Sequence, residues 1–479
     1  MTRQGSYRYQ SIARSIAAQI EAGHFREGDR LPSVRGLMRH HDVSMSTASR
    51  VLVELEDQGY ADSRERSGFY VRAQALTTAP SETTPLPTQT SPAPASVSLK
   101  TLIASLFKTT ARGEVLSLGA AELAEELLPH RDLAASMIRV TRTSGAKGVL
   151  YGPPGGDPDL RRAIALMMGE RGVVVPPTEV WITEGENAAM GAALRALTRP
   201  GDAVAVESPT YFGLLRWIEA LGLKAVEIAT DPVQGIDIGE LARSMSALPI
   251  AAIAVNPTFH NPFGGTMPAD HMRALVALAD QYGVPVIEDD VYGDLRFGPR
   301  PIRPLRAHDP EGSVIYCSSF SKTLAPGYRV GWCLPGRWAE ALAADRPAED
   351  FGGAVLPQKA LADYLKGRRY ACHLDGLRTL FANQSDRFRA LALEVFPEGT
   401  RVSAPQGGFV YWLEIPPPFD ALTLHQKALA DGIGLAPGPI FSATGRFANA
   451  FRLSLGRRLT PTVETAIRRL GTLAQTPQT

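Results

Sequence analysis

The chain has 479 residues, too many for one small domain and enough for two or three. Hydrophobic residues make up 44% and charged residues 21%, ordinary for a soluble globular protein; the formal net charge of +1 excludes a globally basic nucleic-acid coat, so any DNA contact has to be local. Three widely spaced cysteines (Cys317, Cys333 and Cys372) offer neither a disulfide framework nor metal-ligand spacing and suit a reducing cytoplasm, and no apolar run approaches the ~20 residues of a membrane span.

Met1-Thr2-Arg3-Gln4-Gly5 leads into a polar, amphipathic segment, and no signal peptide is expected. Ile12, Ile16 and Ile20 recur every four residues and predict one apolar helix face, ended by Gly23. Leu31-Pro32-Ser33 offers Ser33 as the N-cap of a second helix. A third starts at Val43-Ser44, turns Ala48, Val51, Leu52 and Leu55 inward, and closes at Gly59-Tyr60. Tyr60 to Ser63 and Gly68 to Val71 then alternate like a short hairpin with Arg64-Glu65-Arg66-Ser67 at its tip. Three helices and a hairpin make a winged helix-turn-helix, an α unit with a small β wing, over residues 1–72. The segment holds 11 arginines and no lysine against 9 acids, and arginine suits phosphate clamps and bidentate guanine contacts. A dimerisation module is the other use of such a head.

Three strings carry a resemblance here: Glu27-Gly28-Asp29-Arg30-Leu31-Pro32-Ser33-Val34-Arg35, Val43-Ser44-Met45-Ser46-Thr47-Ala48, and Leu55-Glu56-Asp57-Gln58-Gly59. Together they resemble the GntR family. The resemblance implies that the third helix enters the major groove of double-stranded DNA. Ser44, Ser46, Thr47 and Arg50 would then face DNA, Arg35 would lie near the backbone, and Arg64 and Arg66 would sit on the wing.

Residues 73–98 change character. They are rich in Pro, Thr, Ser and Ala, and Glu82 is their only charge. This is linker composition, reaching about 30 Å as coil and up to ~80 Å if extended.

From residue 99 onward βα alternation predicts a largely parallel, helix-covered sheet. The expected strands are Val180–Thr183, Ala203–Glu207, Ala225–Ile228, Ile250–Val255, Val284–Glu288, Val314–Cys317 and Val330–Leu334. One helix is expected to start at Asp157 as N-cap with Pro158 at its first position, and to close near Gly172. The large subdomain is placed at about 150–370. The last hundred or so residues, about 371–479, suit a smaller α+β subdomain, with Gly408 to Leu413 and Phe451 to Leu455 as its strands. Cys317 and Cys333 are expected as core residues of strands.

The stretch Ser318-Ser319-Phe320-Ser321-Lys322-Thr323-Leu324-Ala325-Pro326-Gly327-Tyr328-Arg329-Val330-Gly331 sets a lysine among hydroxyls just past a strand, with an arginine seven residues on. That arrangement suits pyridoxal phosphate: the lysine amine forms a Schiff base with the aldehyde, while Ser319, Ser321 and Arg329 hold the phosphate. It resembles the Schiff-base motif of fold-type I aminotransferases. Other pieces follow the same template. Glu288-Asp289-Asp290-Val291-Tyr292 ends a buried strand and matches the family's D-x-x-Y pattern, which implies Asp289 as partner of the ring nitrogen and Tyr292 as a phenol for the ring O3′. Asp290 is the competing carboxylate, otherwise a solvated turn residue. Asn256-Pro257-Thr258-Phe259-His260-Asn261-Pro262-Phe263-Gly264 resembles the family's N-P-x-G turn, with the O3′ role falling to Asn261 and not Asn256. His260 and Phe263 shape either the ligand pocket or only the turn.

Ile182-Thr183-Glu184-Gly185-Glu186-Asn187 runs a strand into a helix start, which favours phosphate at Gly185, Glu186 and Asn187. Glu186 departs from the family, which often has Ser-Gln or a similar pair here. A carboxylate facing a phosphate is unfavourable, so Glu186 is expected to offer only its backbone N–H. By the same resemblance Tyr211 stacks on the ring, Tyr151 reaches the phosphate of the neighbouring subunit of a homodimer, and Arg452 clamps a substrate α-carboxylate.

A GntR-like head, a linker and an aminotransferase-like body resemble, in this order, the MocR subfamily of GntR regulators. The resemblance implies a prokaryotic, cytoplasmic DNA-binding regulator, nucleoid-associated when on DNA. Its body would respond to an amino acid, an amine or pyridoxal phosphate itself. A working aminotransferase with a DNA-binding head and a regulator with an inert scaffold are the alternatives. Retention of Lys322, Asp289, Asn261 and Arg329 together argues against the scaffold.

Overall fold

The computed structural model describes residues 29–41, 43–57, 60–64, 68–71, 83–97, 115–345 and 353–475, with residues 9, 12, 13, 15, 16 and 103. The chain divides into two compact units, Met1–Ser81 and Glu82–Thr479.

In the first unit Ser33 accepts the Gly36 N–H (3.2 Å) and starts the Val34–His41 helix. Ser44 accepts the Thr47 N–H (3.2 Å) and starts Met45–Asp57. Ala48, Val51, Leu52 and Leu55 all point inward from the Met45–Asp57 helix. They pack with Ile12, Ile16, Leu31 and Leu37 into one small core. Ala61–Arg64 pairs antiparallel with Gly68–Val71, Ala61 opposite Val71, so the expected wing is formed. Ile20, Gly23 and the wing tip with Arg66 lie outside the described residues.

The second unit is built on a nine-stranded sheet. Along its main path the order is Ala95–Ser96, Lys224–Asp231, Ala203–Ser208, Ile250–Val255, Val286–Asp289, Val314–Ser319, Gly331–Leu334 and Trp181–Thr183. All seven expected strands are present. The five from Lys224–Asp231 to Val314–Ser319 run parallel, and Gly331–Leu334 is antiparallel to both its neighbours. Alternate residues face opposite layers. Val204, Val206, Ala252, Ala254, Ile287 and Ile315 pack on one side with Met190, Leu194 and Leu215 from helices. Ala205, Ile253, Val255, Val286 and Val314 pack on the other with Leu241, Leu275 and Val276. Burial on both faces is what reads in the sequence as short continuous apolar runs. Asp157 caps the Pro158–Glu170 helix through the Asp159 and Leu160 N–H groups, with Pro158 at the first position, as its sequence predicts.

A smaller four-stranded sheet orders Arg401–Val402, Val410–Glu414, Ala450–Ser454 and Ala436–Pro437, with Arg452 opposite Trp412. Residues before 150 also belong here. Leu116–Ser117 pairs parallel with Ile433–Gly434, and the Ser454 N–H donates to Leu118 O (2.7 Å). This subdomain is therefore discontinuous in sequence, unlike the 371–479 block expected from periodicity.

The 73–98 segment differs from a free linker. From residue 83 on it lies along the second unit. Thr88 Oγ1 donates to Ser208 O (2.7 Å), Thr90 Oγ1 donates to Glu240 (2.6 Å), Arg401 donates to Thr84 O (3.0 Å), and Ala95–Ser96 adds an edge strand to Lys224–Asp231. The composition is that of a coil, yet the Thr88 hydroxyl finds the Ser208 carbonyl and the Thr90 hydroxyl the Glu240 carboxylate.

Candidate functional site

The C-terminal ends of the parallel strands gather the chemistry, as open α/β sheets do. Asp289 ends Val286–Asp289, Ser319 ends Val314–Ser319, Asn256 follows Ile250–Val255, and Tyr211 follows Ala203–Ser208. The antiparallel Gly331–Leu334 strand presses on the turn into the Glu186–Leu197 helix. A Cβ on Gly331 would stand 2.7 Å from Glu186 N, so only glycine fits.

Lys322 Nζ donates to Ala121 O (2.6 Å). Burial lowers its ammonium below the ordinary lysine value; Glu122 opposes that shift and Arg452 adds to it. Asp289 is buried and accepts the Val291 N–H (3.2 Å). Burial pushes its carboxyl up to about 7. Arg452 is buried, donates from Nη1 to Asn261 Oδ1 (2.8 Å) and from Nη2 to Gly119 O, and lies 5.1 Å from the Phe441 ring centre. The Asn261 N–H donates to Asn256 Oδ1 (2.5 Å), and Asn256 in turn donates to Asp289 O. Asn256 thus ties the Asn261 turn to the strand end that bears Asp289.

Asn187 donates to the Tyr211 phenol (3.4 Å), and the Tyr211 ring leaves no room for a Cβ on Gly213. Burial raises the Tyr211 phenol to about 12 and lifts that of Tyr292 further. Ser319 Oγ accepts the Ser321 N–H (3.3 Å). Arg329, in the left-handed region at φ 50°, donates to Ser321 Oγ (3.5 Å) and to Glu184 O (3.2 Å). Gly185, at φ 83°, caps the Glu186–Leu197 helix, and a Cβ there would meet Arg329 Nη2 at 2.4 Å. Glu186 places its carboxyl as well as its N–H in this site: it is buried, and Asp289, Lys322 and Arg329 all act on its charge.

One residue had another expected place, and one had two. Asp290 is not a solvated turn carboxylate. It is buried, ion-paired to Arg171 (2.6 Å) and bonded by the Tyr316 hydroxyl (2.7 Å). Arg171 carries no local motif, so only a tertiary contact reveals it. His260 belongs to the turn: its Nε2 lies 3.3 Å from Glu207, and its Nδ1 accepts the Phe263 N–H (3.4 Å).

Tyr151 stands apart from these residues, 85% exposed, beside Lys147, Gln358 and Lys359. On the head, Arg35, Ser44, Ser46 and Arg50 are exposed and Thr47 is half-buried. The Ser44 hydroxyl bonds those of Ser46 and Thr47 (both 2.9 Å), and the Arg50 guanidinium lies 4.9 Å from the Tyr9 ring centre. The Arg64 side chain lies outside the described residues.

Pyridoxal phosphate fits this donor set. Tyr292 Oη and Arg452 Nε are buried without a hydrogen-bond partner, and Asp289 is a buried carboxyl suited to a cationic nitrogen. Among the described residues no helix is long and apolar enough to cross a membrane.

Comparison with known proteins agrees. Residues 8–71 match the model of bacterial regulatory proteins, gntR family, and residues 113–470 match aminotransferase class I and II. The HTH-type transcriptional regulator YdcR of Escherichia coli is 35% identical over 98% of this chain and 99% of its own length. Aromatic-amino-acid aminotransferase 1 of Thermococcus litoralis is 29% identical over 74% of this chain and 86% of its own. An α-aminoadipate aminotransferase of Thermus thermophilus, complexed with N-(5′-phosphopyridoxyl)-L-leucine, superimposes with a TM-score of 0.70 at 28% identity, covering 78% of this chain and 94% of that one. The body thus has the fold-type I aminotransferase architecture, whose members support pyridoxal 5′-phosphate as its cofactor. With a gntR-family head joined to an aminotransferase class I and II body, the chain belongs to the MocR type of GntR regulators.

Proposed function

We infer that this is a homodimeric, cytoplasmic transcription regulator whose body carries pyridoxal phosphate on Lys322 and changes its hold on DNA when an amino compound or the cofactor binds. The carrying observation is the meeting of Lys322, Asp289, Asn261 and Arg452 at one buried site of a chain that begins with a GntR-type head. When bound, the cofactor supplies an electron sink at the carbon bearing the ligand's amino group.

The chain's own residues do the rest. Asp289 holds a proton on the ring nitrogen. Asn261, whose Oδ1 is taken by Arg452, offers its Nδ2 to O3′, with the Tyr292 phenol beside it. Tyr211 covers the ring face. Ser319, Ser321, Arg329 and the N–H groups of Gly185, Glu186 and Asn187 hold the phosphate, and Tyr151 of a second copy completes it. Arg452 binds an α-carboxylate through its planar fork. In the aminotransferase alternative, Lys322 Nζ, its ammonium lowered by burial, takes up the proton from the ligand's α-carbon. On the head, Arg35, Ser44, Ser46, Thr47, Arg50, Arg64 and Arg66 form the DNA-facing set.

A second reading, a working aminotransferase that also binds DNA, is favoured by similarity to a 2-aminoadipate transaminase of Thermus thermophilus, 30% identical over 77% of this chain. One experiment separates the two. The near-visible absorbance of the cofactor-loaded protein is followed as each common amino acid is added, with keto acid and operator affinity assayed in the same samples. A stable spectral shift with altered DNA affinity and no keto acid supports the regulator; repeated keto acid release supports the enzyme. Lys322→Ala is expected to lose the band and the covalent attachment, and retention of both would exclude Lys322.

A further inference from the structure

Glu186 is the first residue of the Glu186–Leu197 helix, where exposed N–H groups and the helix dipole favour an anion. It is 6% exposed, and its Oε1 has no hydrogen-bond partner. The titratable and charged groups that act on it, or that it acts on, come from every wall of the site. Lys322 and Arg329 stand on the loop after Val314–Ser319, and Asp289 on the Val286–Asp289 strand. Tyr211, Tyr292 and Cys317 complete the surroundings. Burial and Asp289 push the Glu186 carboxyl well above the usual carboxylate range, while Lys322 and Arg329 pull it back. The cradle that offers a helix start and Arg329 to a phosphate therefore already contains a carboxyl group.

We propose that Glu186 competes with the cofactor's phosphate for this cradle and makes capture of pyridoxal phosphate proton-linked. The proposal rests on the cofactor reading above. A phosphomonoester carries about −1.5 to −2 charge at neutral pH. A second anion beside it is repelled, and Glu186, buried while Arg329 is exposed, answers by taking a proton from solvent as the phosphate enters. The neutral carboxyl can then donate its O–H to a phosphate oxygen. Glu186 holds its proton to higher pH with phosphate present than without. Between those two limits affinity falls as pH rises, by up to about tenfold per pH unit. A serine or threonine in its place would offer a hydroxyl and carry no such linkage.

The test measures the affinity of the full chain for pyridoxal phosphate, from the near-visible absorbance band, between about pH 6 and about pH 8.5. Glu186→Ser and Glu186→Gln are measured beside it, and each protein is titrated again with pyridoxal, which keeps the aldehyde and lacks the phosphate. Both variants are expected to bind pyridoxal phosphate about tenfold or more tightly than the natural chain at the alkaline end, with the gap closing toward the acid end. Their affinities for pyridoxal should agree with the natural chain's within about twofold. Equal affinity and equal pH slope for pyridoxal phosphate in all three proteins would overturn the proposal. So would an equal gain toward pyridoxal, since that marks a change in packing. A band in none of the proteins overturns the cofactor reading itself, and this inference with it.

Discussion

Asp289 and Asp290 are neighbours with opposite surroundings, because successive residues at a strand end turn to opposite sides. Asp290 finds a buried cation in Arg171; Asp289 finds one backbone N–H and the cofactor site. Burial is the larger effect at Asp289 and raises its carboxyl from 3.8 to about 7. The sign of its pH effect follows. A carboxyl raised by folding contributes its full stability below the unfolded value, and that contribution is lost as pH rises through about 7. At 1.36 kcal/mol per unit the loss is at most about 4 kcal/mol. Urea unfolding of the cofactor-free protein should therefore show stability falling from about pH 4 to about pH 7, and Asp289→Asn should flatten that fall. An unchanged slope in the variant would argue for a solvated carboxyl.

Among the elements, the stretch from Thr83 to Val97 is the one whose composition misleads. Proline and small residues predict coil, and no apolar periodicity fixes a partner. The partner is instead a set of backbone groups along the Ala203–Ser208 and Lys224–Asp231 strands, where the Thr230 N–H donates to Thr88 Oγ1 (2.8 Å) and Thr88 Oγ1 donates to Ser208 O. Thr88→Val keeps the shape and leaves those groups unpaired, at a cost of about 1–3 kcal/mol. The denaturant midpoint should fall accordingly, and amide exchange at Thr88 and Thr230 should quicken. A change within about 0.5 kcal/mol would mean that this stretch is not held there.

For the whole molecule, the division between Ser81 and Glu82 predicts where the chain can be cut. A protein starting at Glu82 should keep the cofactor band and the melting temperature of the body while losing operator binding. One starting at Leu99, the boundary that composition suggests, should melt several degrees lower, because it lacks the Ala95–Ser96 edge strand and the Thr84, Thr88 and Thr90 hydrogen bonds. Equal melting of the two shortened proteins would place the boundary at the composition change instead.

The sequence by itself determined the head, the strand set and the residues standing at strand ends. Each of these is a short-range pattern: a capping serine before an amphipathic run, or an apolar strand that ends in Asp289 or Ser319 or is followed at once by Asn256. Such patterns are written by near neighbours in the chain. Only the tertiary structure decided that Arg171 serves Asp290 and that Arg452 rests on Asn261. It alone joined Leu116–Ser117 to the small sheet, laid the proline-rich stretch on the large one, and turned the Glu186 carboxyl into the site. The partner of a buried charge or an edge strand is fixed by the space and the unpaired groups that the rest of the core leaves, and no local pattern carries that information.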